Sequence, residues 1–343
     1  MKIAIVKLSA LGDIIHALVV LQFIKKYNQK IEVDWIVEKS YRELLEFHPD
    51  INKVHVVKIK NSSKIKSFYY FLNEIRRVRK FGPYDLVIDM QGLIKSALIS
   101  RLIQSDIALG FDKSSIRESI ASVFYNKTFK YGYSENIIER NLALIEFAFG
   151  ANINKEGIKS KLPFLYSSKK HPVNNLSSVK KNILLVPGAS FKSKQYPAVK
   201  FEELTKALDA NFIIIWGNQK EKLLAYKIKA SALHVNICEE LSIDSLVSLI
   251  GQVDLIIGSD TGPTHMAWAL NKPSITLFGP TPGLRNTYLT EINKIIESNS
   301  EVNPRKINKK DYSISSIEVS QISKLANNPV SYTHLTLPTI YSV

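Results

Sequence analysis

Short apolar runs rich in β-branched residues alternate along this chain with longer amphipathic stretches, and this alternation limits the folds that are open to it. Strands separated by helices predict parallel βαβ units with right-handed crossovers. In the first half, the predicted strands are Lys2–Lys7, Glu32–Val37, Val54–Ile59 and Tyr84–Asp89, and the predicted helices are Gly12–Asn28, Ser40–Phe47 and Lys66–Lys80. We therefore expect the first half to form a doubly wound α/β sheet.

A polar segment with a proline and no apolar period follows Tyr166, and the alternating pattern restarts at Asn182. The strands predicted there are Asn182–Val186, Phe212–Trp216, Leu255–Gly258 and Ser274–Phe278. Two Rossmann-like halves joined by a linker leave a cleft between them, with ligands at the carboxyl ends of the strands. We expect an N-terminal domain over 1–166, a linker over 167–181 and a C-terminal domain over 182–329. The last helix is a candidate to pack back on the first domain.

The final segment, 330–343, has no helical period and no relation to the sequence before it. It looks like the translation of a common sequencing adaptor, so we predict that this segment is not native. We expect it to add nothing to the fold and His334 to have no function.

The chain of 343 residues carries 46 Lys and Arg against 31 Asp and Glu, a formal net charge of +15. This excess favours anionic partners: nucleic acid, phosphorylated metabolites or an acidic membrane surface. The single cysteine, Cys238, excludes a disulfide framework and a cysteine-rich metal site. The sequence has neither an export signal nor an apolar run of the roughly 20 residues that span a membrane, which predicts a cytoplasmic protein.

The first candidate site is the loop K-L-S-A-L-G-D, which lies between a predicted strand and a predicted helix. Ser9 offers a hydroxyl, and Gly12 permits a ligand to approach the backbone closely. Asp13 places a carboxylate at the mouth of the cleft. An Asp in the first turn is also a common capping residue, so a purely structural role is equally open. The pattern G-x-G-x-x-G is absent here, which disfavours a nicotinamide cofactor.

The second candidate site is S-D-T-G-P-T-H, which follows the predicted strand Leu255–Gly258 and opens the next helix. Asp260, Thr261 and Gly262 supply an acceptor, a hydroxyl and bare backbone N–H groups, a combination that suits a diphosphate. His265 lies one turn further on. For a lone histidine, a hydrogen-bonded place in the core is the usual role.

The third candidate site is the strand-end loop P-G-A-S-F-K-S-K-Q-Y-P, in which Ser190, Lys192 and Lys194 are placed to face the cleft. Surface lysines are usually only solvated, so their position after a strand is what singles them out. Glu221 begins a predicted helix after Trp216, where a carboxylate is favourable in any case. An acidic residue at such a strand end is also a common ribose ligand.

Five motifs in order resemble glycosyltransferase family 9, the heptosyltransferases of lipopolysaccharide biosynthesis. They cover nearly the whole chain up to about residue 307. The motifs are K-L-S-A-L-G-D at Lys7–Asp13, D-W-I-V-E at Asp34–Glu38, V-I-D-M-Q-G-L-I-K-S-A at Val87–Ala97, R-E-S-I-A at Arg117–Ala121 and S-D-T-G-P-T-H at Ser259–His265. The resemblance implies a GT-B fold of two facing Rossmann-like domains. It also implies inverting, metal-independent transfer of L-glycero-D-manno-heptose from ADP-heptose to a Kdo (3-deoxy-octulosonic acid) residue of Kdo-lipid A.

The resemblance also implies roles for individual residues. Asp13 would be the general base, and Lys194 would pair with the diphosphate of the leaving ADP. The remaining donor-binding residues implied by the family are Ser190, Lys192, Glu221, Asp260, Thr261, Gly262 and His265. The implied acceptor-binding residues are Ser9, Gly12, Lys58, Lys60, Lys64 and Arg117. No organic cofactor and no metal is expected, and the sequence holds no D-x-D pair for a divalent ion.

The sequence departs from the family pattern in two places. Tyr196 stands where relatives typically carry Trp, and the acceptor-facing segment, usually arginine-rich, has lysines at Lys58, Lys60, Lys64 and Lys66. Lysines bind phosphates as point charges without bidentate geometry, so the acceptor contacts are expected to differ.

Three alternatives stay open. One is another family 9 enzyme that uses a heptose acceptor, and another is a non-catalytic scaffold with this fold. The third is a basic nucleic-acid-binding protein, and the absence of a nucleic-acid-binding motif argues against it. The lysine run and the nearby Arg76, Arg77 and Arg79 also lead us to expect peripheral contact with the anionic cytoplasmic face of the inner membrane.

Overall fold

The structure, a computed structural model, describes residues 1–58, 73–151, 155–232 and 234–327. It contains two parallel sheets of six strands each, one in each half of the chain. Every strand pair in both sheets is parallel. The α/β expectation of two doubly wound sheets is confirmed.

The first sheet has the strand order β3-β2-β1-β4-β5-β6. Its strands are β1 (Lys2–Val6), β2 (Glu32–Glu38), β3 (Lys53–Val57), β4 (Tyr84–Asp89), β5 (Ser105–Phe111) and β6 (Lys127–Phe129). The helices of this half are α1 (Leu11–Leu18), α2 (Val20–Tyr27), α3 (73–78), α4 (Ile94–Leu102) and α5 (Ile137–Phe149), with 3-10 helices at Lys39–Leu44, Ser119–Phe124 and Lys155–Ile158. From β1 to β3 each new strand is added on one side of the sheet, and from β4 onwards each is added on the other side. This switch in strand order places a crevice beside β1 and β4.

The second sheet has the strand order β12-β11-β10-β7-β8-β9. Its strands are β7 (Asn182–Val186), β8 (Asn211–Ile214), β9 (Asn236–Ile237), β10 (Leu255–Ser259), β11 (Ser274–Phe278) and β12 (Asn293–Glu297). The helices are α6 (Ala198–Ala207), α7 (Gln219–Ser231), α8 (Ile243–Gln252), α9 (Gly262–Ala269), α10 (Gly283–Asn286) and α11 (Val319–Asn327), with 3-10 helices at Lys192–Lys194 and Ser313–Ser316. β7 and β10 are neighbours at the centre of this sheet, as β1 and β4 are in the first.

Three details of the predicted elements are wrong. The helix predicted over Gly12–Asn28 is two helices that meet at Val19, whose backbone keeps helical angles (φ −56°, ψ −27°). The helix predicted over Ser40–Phe47 is a 3-10 helix, because a short segment before His48-Pro49 has no room for several α turns. The last helix, α11, packs mainly on α6, β11 and β12 of the second sheet instead of on the first half.

An apolar core runs from the first half into the second without a break. It joins Ile14 and Leu18 of α1 to Met266 and Trp268 of α9, all of them fully or almost fully buried. Full burial of a large apolar side chain contributes roughly 1.5–3 kcal/mol to the free energy of folding. The two halves are therefore held together chiefly by apolar packing. The packing fixes α1 against α9 and thereby sets the distance between the loops that precede them.

Candidate active site

The first and second candidate loops lie in direct contact across the two halves. α1 begins after β1 and α9 begins after β10, and the first turns of the two helices meet. A Cβ atom at Gly12 would lie 2.7 Å from Cδ2 of His265, and one at Gly262 would collide with Leu11. Only glycine permits this approach at either position, so both glycines bring the two loops together.

Asp13 is an exposed residue in the first turn of α1. Its Oδ2 accepts a hydrogen bond of 3.2 Å from the backbone N–H of Ala10, so the capping role that we kept open is present. The carboxylate also acts electrostatically on Lys7 and on Arg285 of the second half. Asp13 therefore combines a cap with an accessible carboxylate at the junction of the halves.

Lys7 is buried at the end of β1, and its ammonium donates a hydrogen bond of 2.9 Å to the carbonyl of Met90. Burial lowers the pKa of Lys7, and the nearby carboxylates of Asp13 and Asp89 oppose this shift.

The loop that contains Ser9 is held by the side chain of Gln91. The Oε1 atom of Gln91 accepts hydrogen bonds from the N–H groups of Leu8 at 3.0 Å and Ser9 at 3.2 Å. Gln91 follows buried Asp89, whose Oδ1 accepts from the N–H groups of Gln91 and Gly92. The motif V-I-D-M-Q-G thus shapes the first loop from the neighbouring strand.

Asp260 is the centre of a buried hydrogen-bond network in the second half. Its Oδ2 accepts from Nζ of Lys194 at 2.8 Å and from Oγ1 of Thr281 at 2.9 Å, and its Oδ1 bonds Nε2 of His265 at 2.9 Å. Burial alone would raise the pKa of Asp260, but Lys194 and His265 outweigh burial and hold the pKa far below its usual range. The structure thereby brings Lys194 to Asp260, from which it is separated by 66 positions in the sequence.

His265 packs edge-on against His16 of α1, with 4.3 Å between the ring centroids, and both rings are buried. Burial and the neighbouring His265 hold the pKa of His16 well below its usual range. The core position that is usual for a lone histidine is therefore what the structure has. The ring also connects α1 of the first half to Asp260 of the second.

Several buried hydroxyls around this network have no hydrogen-bond partner among the described residues. They are Oγ of Ser193, Oγ of Ser259 and Oγ1 of Thr261. Thr261 is the N-cap of α9, and its own N–H donates to Oγ1 of Thr264 at 3.3 Å. Buried polar atoms are almost always satisfied in proteins, so these hydroxyls indicate a place for a polar ligand. The first turn of α9 adds N–H groups that have no partner within the helix.

The remaining donor-side residues lie around the end of β7. Ser190 and Lys192 are exposed, whereas Lys194 is buried. Glu221 is partly buried, and its Oε2 accepts from the N–H of Gly217 at 2.8 Å. A Cβ atom at Gly188 would overlap the Glu221 carboxylate, so this carboxylate lies over the loop that follows β7.

Two of the predicted acceptor residues, Lys58 and Arg117, are exposed. Lys58 is exposed at the end of the edge strand β3, and its N–H donates to Oε1 of Glu74 at 3.2 Å. Arg117 is exposed in the loop after β5, 3.8 Å from Glu118. Lys60, Lys64 and Lys66 lie outside the described residues.

Sequence reasoning missed a cluster of arginines at the junction of the halves. Arg285 and Arg305 from the second half each lie 4.6 Å from the ring centre of Tyr133, and Arg140 lies 5.6 Å from it. Arg285 donates to the carbonyl of Tyr133 at 2.9 Å, and Arg305 to that of Ser114 at 2.6 Å.

The arginines of this cluster repel one another. Burial, with the charges of Arg285 and Arg305, lowers the pKa of Arg140 to about 10. Like charges gathered around one aromatic ring favour the binding of an anion. No spacing in the sequence links these residues, because they come from a helix, a short helix and a loop that meet only in the fold.

Within the described ranges, no helix is long and apolar enough to span a bilayer. Over the same ranges, no group of three or more His, Cys, Asp or Glu side chains could hold a metal ion.

Comparison with known proteins places this geometry in one family. Residues 74–313 match the model of glycosyltransferase family 9 (heptosyltransferase). The chain is 40% identical to lipopolysaccharide heptosyltransferase 1 of Campylobacter coli, over 95% of this chain and 98% of that protein. It is 27% identical to lipopolysaccharide heptosyltransferase 1 of Escherichia coli K12, over 84% of this chain and 91% of that protein.

Among solved structures, the chain resembles E. coli heptosyltransferase WaaC with ADP-2-deoxy-2-fluoro heptose. The TM-score is 0.75 at 21% identity, with 95% of this chain and 99% of that chain covered. At this identity the likeness shows the fold alone, and the fold is that of the GT-B glycosyltransferases.

Proposed function

The chain belongs to glycosyltransferase family 9, the heptosyltransferases, and from this premise we propose that it transfers a heptose from ADP-heptose to a Kdo residue of Kdo-lipid A. It is a glycosyltransferase, and the similarity to the curated relatives supports heptosyltransferase I activity in the lipopolysaccharide inner core. The positive net charge thus has an explanation other than nucleic acid, because donor and acceptor are both anionic.

The observation that carries the proposal is the contact between the first turns of α1 and α9. It brings the Asp13 loop of one half to the Lys194–Asp260 network of the other. A transferase needs a base on the acceptor and a cation on the leaving group, on two sides of one carbon atom. We assign acceptor binding to 1–166 and donor binding to 182–329, joined by a linker over 167–181.

The donor diphosphate is proposed to bind at the start of α9. The unpartnered hydroxyl of Thr261 and the N–H of Gly262 lie there, and Lys194 is held nearby by Asp260. An ammonium, a helix N-terminus and bare N–H groups stabilise negative charge as it develops on the departing ADP, without a metal ion. Because Asp260 and His265 are buried and bonded to each other, they are proposed to position Lys194 against the diphosphate.

The other donor groups are proposed to surround the nucleoside and the sugar. Glu221, whose carboxylate lies over the loop after β7, accepts hydrogen bonds from the ribose diol. Ser190 and Lys192, exposed beside Lys194, contact the phosphates.

Asp13 is proposed as the general base. It removes the proton from the attacking Kdo hydroxyl, whose oxygen bonds the anomeric carbon of the heptose while ADP departs from the opposite face. This displacement inverts the anomeric configuration. Ser9 and Gly12 line the same loop and are proposed to contact the acceptor. General base catalysis is worth about 10²- to 10⁴-fold in rate, which sets the size of the expected loss.

The arginine cluster around Tyr133 supports an acceptor site beside Asp13. Arg285 interacts electrostatically with Asp13 and Asp260, so it lies near both the proposed base and the donor network. We propose that Arg285 faces the Kdo carboxylate. Arg117 and Lys58, with Lys60 and Lys64 outside the described residues, are proposed to meet the lipid A phosphates at the cytoplasmic face of the inner membrane.

Incubation with ADP-heptose and Kdo-lipid A, with and without EDTA, tests the proposed reaction. We expect a mass gain of one heptose in both samples, and the anomeric configuration by NMR opposite to that of the donor. A gain only on an acceptor that already carries heptose would favour the other family 9 activity. A requirement for added metal would refute the metal-independent mechanism.

The variant D13N tests the base. Asn can still accept from Ala10, so the cap and the fold persist while the base is lost. We expect turnover to fall at least about 100-fold with ADP affinity unchanged. The variant R285Q should instead raise the KM for the acceptor more than that for the donor. Wild-type turnover in D13N would refute the assignment of Asp13.

A further inference from the structure

A cavity lies in the first half, at the end of the sheet opposite the candidate active site. Its volume is about 260 Å³. Lys2, Lys53 and Tyr84 line it, and these are the first residues of β1, β3 and β4. The active-site loops follow the other ends of these parallel strands, so a ligand here would not touch Asp13 or Lys194.

The floor of this cavity is a buried network of Asp34, His55 and Tyr84. Oδ2 of Asp34 accepts from the hydroxyl of Tyr84 at 2.6 Å and lies 3.0 Å from Nε2 of His55. Burial alone would raise the pKa of Asp34, but the hydrogen bonds of His55 and Tyr84 outweigh it and lower the pKa. The lowered pKa keeps Asp34 ionised, so Asp34 offsets one of the cations at the cavity, Lys2, whose Nζ lies 4.0 Å away.

Four cations surround this floor: Lys2, Lys53, Arg77 and Lys80. Arg77 is paired with Glu74, and Nζ of Lys2 is 4.0 Å from Asp34. Neither Lys53 nor Lys80 has an ion-pair partner in the part of the chain that the structure describes. The cavity is therefore lined by four cations and one carboxylate, which hydrogen-bonds His55 and Tyr84.

We propose that this cavity binds a compact phosphate group. Three ammonium groups and a guanidinium around one concave space suit a small polyanion, since several point charges can approach a tetrahedral phosphate from different sides. The volume is below the range of about 300–1,000 Å³ that is typical for drug-sized ligands, which favours a small group. The aromatic rings of Phe81 and Tyr84 also line the cavity. The phosphate can come from inorganic phosphate or from a lipid headgroup.

Binding can be measured by NMR on protein with ¹³C-labelled histidine, titrated with inorganic phosphate. The His55 signal is assigned by its absence in H55Q. The test variant is K53E/K80E, which reverses two exposed charges at the cavity. The matched control is K206E/K227E, which makes the same change at exposed lysines on α6 and α7. A second control, K194A, removes phosphate binding at the candidate active site and leaves the cavity unchanged.

We expect phosphate to shift the His55 signal in the wild type, in K206E/K227E and in K194A. In K53E/K80E the affinity should fall about tenfold or more. Absence of a saturable shift in the wild type, or equal affinity in K53E/K80E and the wild type, would overturn the proposal. Neither result bears on heptose transfer, because the cavity and the proposed catalytic residues lie at opposite ends of the sheet.

Vesicles of phosphatidylcholine with and without phosphatidic acid then identify the source of the phosphate. Binding that requires phosphatidic acid and is lost in K53E/K80E, but kept in K206E/K227E, assigns the site to a lipid headgroup. Phosphate binding with no difference between K53E/K80E and K206E/K227E on vesicles assigns it to free phosphate. Both results support a phosphate site.

Discussion

The substitution D260N tests whether the buried network around Asp260 is held by charge. Asp260 is 6% exposed and Lys194 is 9% exposed, and their charged groups are 2.8 Å apart. Asn has nearly the same volume and can still accept from Thr281 or His265, so packing is preserved. What the substitution removes is the negative charge opposite the Lys194 ammonium.

The expected loss follows from burial. Removing one partner of a buried ion pair leaves the other charge uncompensated, which typically costs about 3–5 kcal/mol of unfolding free energy. The Lys180–Asp209 pair provides a matched comparison, since its atoms are 2.5 Å apart but its side chains are 53% and 85% exposed. The same change there, D209N, should cost at most about 1 kcal/mol, because exposed ion pairs contribute little.

The measurement is urea unfolding at pH 7.5, followed by circular dichroism, on wild type, D260N, D209N and the double variant D260N/K194M. Removing both charges should recover roughly half or more of the loss seen in D260N alone. The folded-state pKa of Asp260 is lower than its unfolded value of 3.8. Its stabilisation is therefore complete above about pH 4 and declines as the pH falls further.

Equal destabilisation by D260N and D209N would refute the argument that burial of the Lys194–Asp260 pair sets its energetic weight. No recovery in D260N/K194M would show that the loss in D260N comes from the hydrogen bonds to Thr281 and His265, and not from the uncompensated ammonium.

Two further substitutions test the contact between the halves and the acid sensitivity of the fold. G12A places a Cβ atom 2.7 Å from the buried His265 ring; we expect a loss of about 1–3 kcal/mol in urea unfolding together with reduced turnover. Gly251 lies within a helix, and no atom lies within 4 Å of the position that its Cβ would take. The control variant G251A should therefore leave the free energy of unfolding unchanged or raise it. A loss equal to that of G12A would contradict the packing argument. Burial lowers the pKa of His48 to about 3, below its unfolded value of 6.5, so the unfolded chain binds the proton more readily and stability falls as the pH drops below 6.5. H48N should lessen that fall by about 1.4 kcal/mol per pH unit, and parallel pH profiles for H48N and wild type would show that His48 does not contribute.

Much of the fold could be predicted because apolar periodicity is a local property. The strands Tyr84–Asp89, Asn182–Val186 and Ser274–Phe278 have the predicted bounds. The region between Gln91 and Tyr166 gave no such prediction, yet it contains α4, β5, β6 and α5. β6 has only three residues, Lys127–Phe129, and none of them is buried. No apolar run in the sequence therefore predicts this strand.

The candidate site, too, has a part that could be predicted from the sequence and a part that could not. Asp13, Thr261 and Gly262 could be named in advance because each follows a strand in a short loop, where backbone N–H groups and side chains face the cleft. The pairing of Lys194 with Asp260 could not, since 66 residues separate them and no rule of spacing joins them. Arg117 and Lys58 resemble site residues in the sequence, and the structure leaves both exposed.

The alternating α/β pattern, the strand-end loops and the family could be inferred from the amino-acid sequence, because they depend on residues that are neighbours along the chain. Which loops meet depends on the tertiary structure. The approach of α1 to α9, the buried Asp260 network and the arginines around Tyr133 all depend on how two separately patterned halves pack. That packing is set by apolar burial summed over many distant residues, and no short segment of the chain records it.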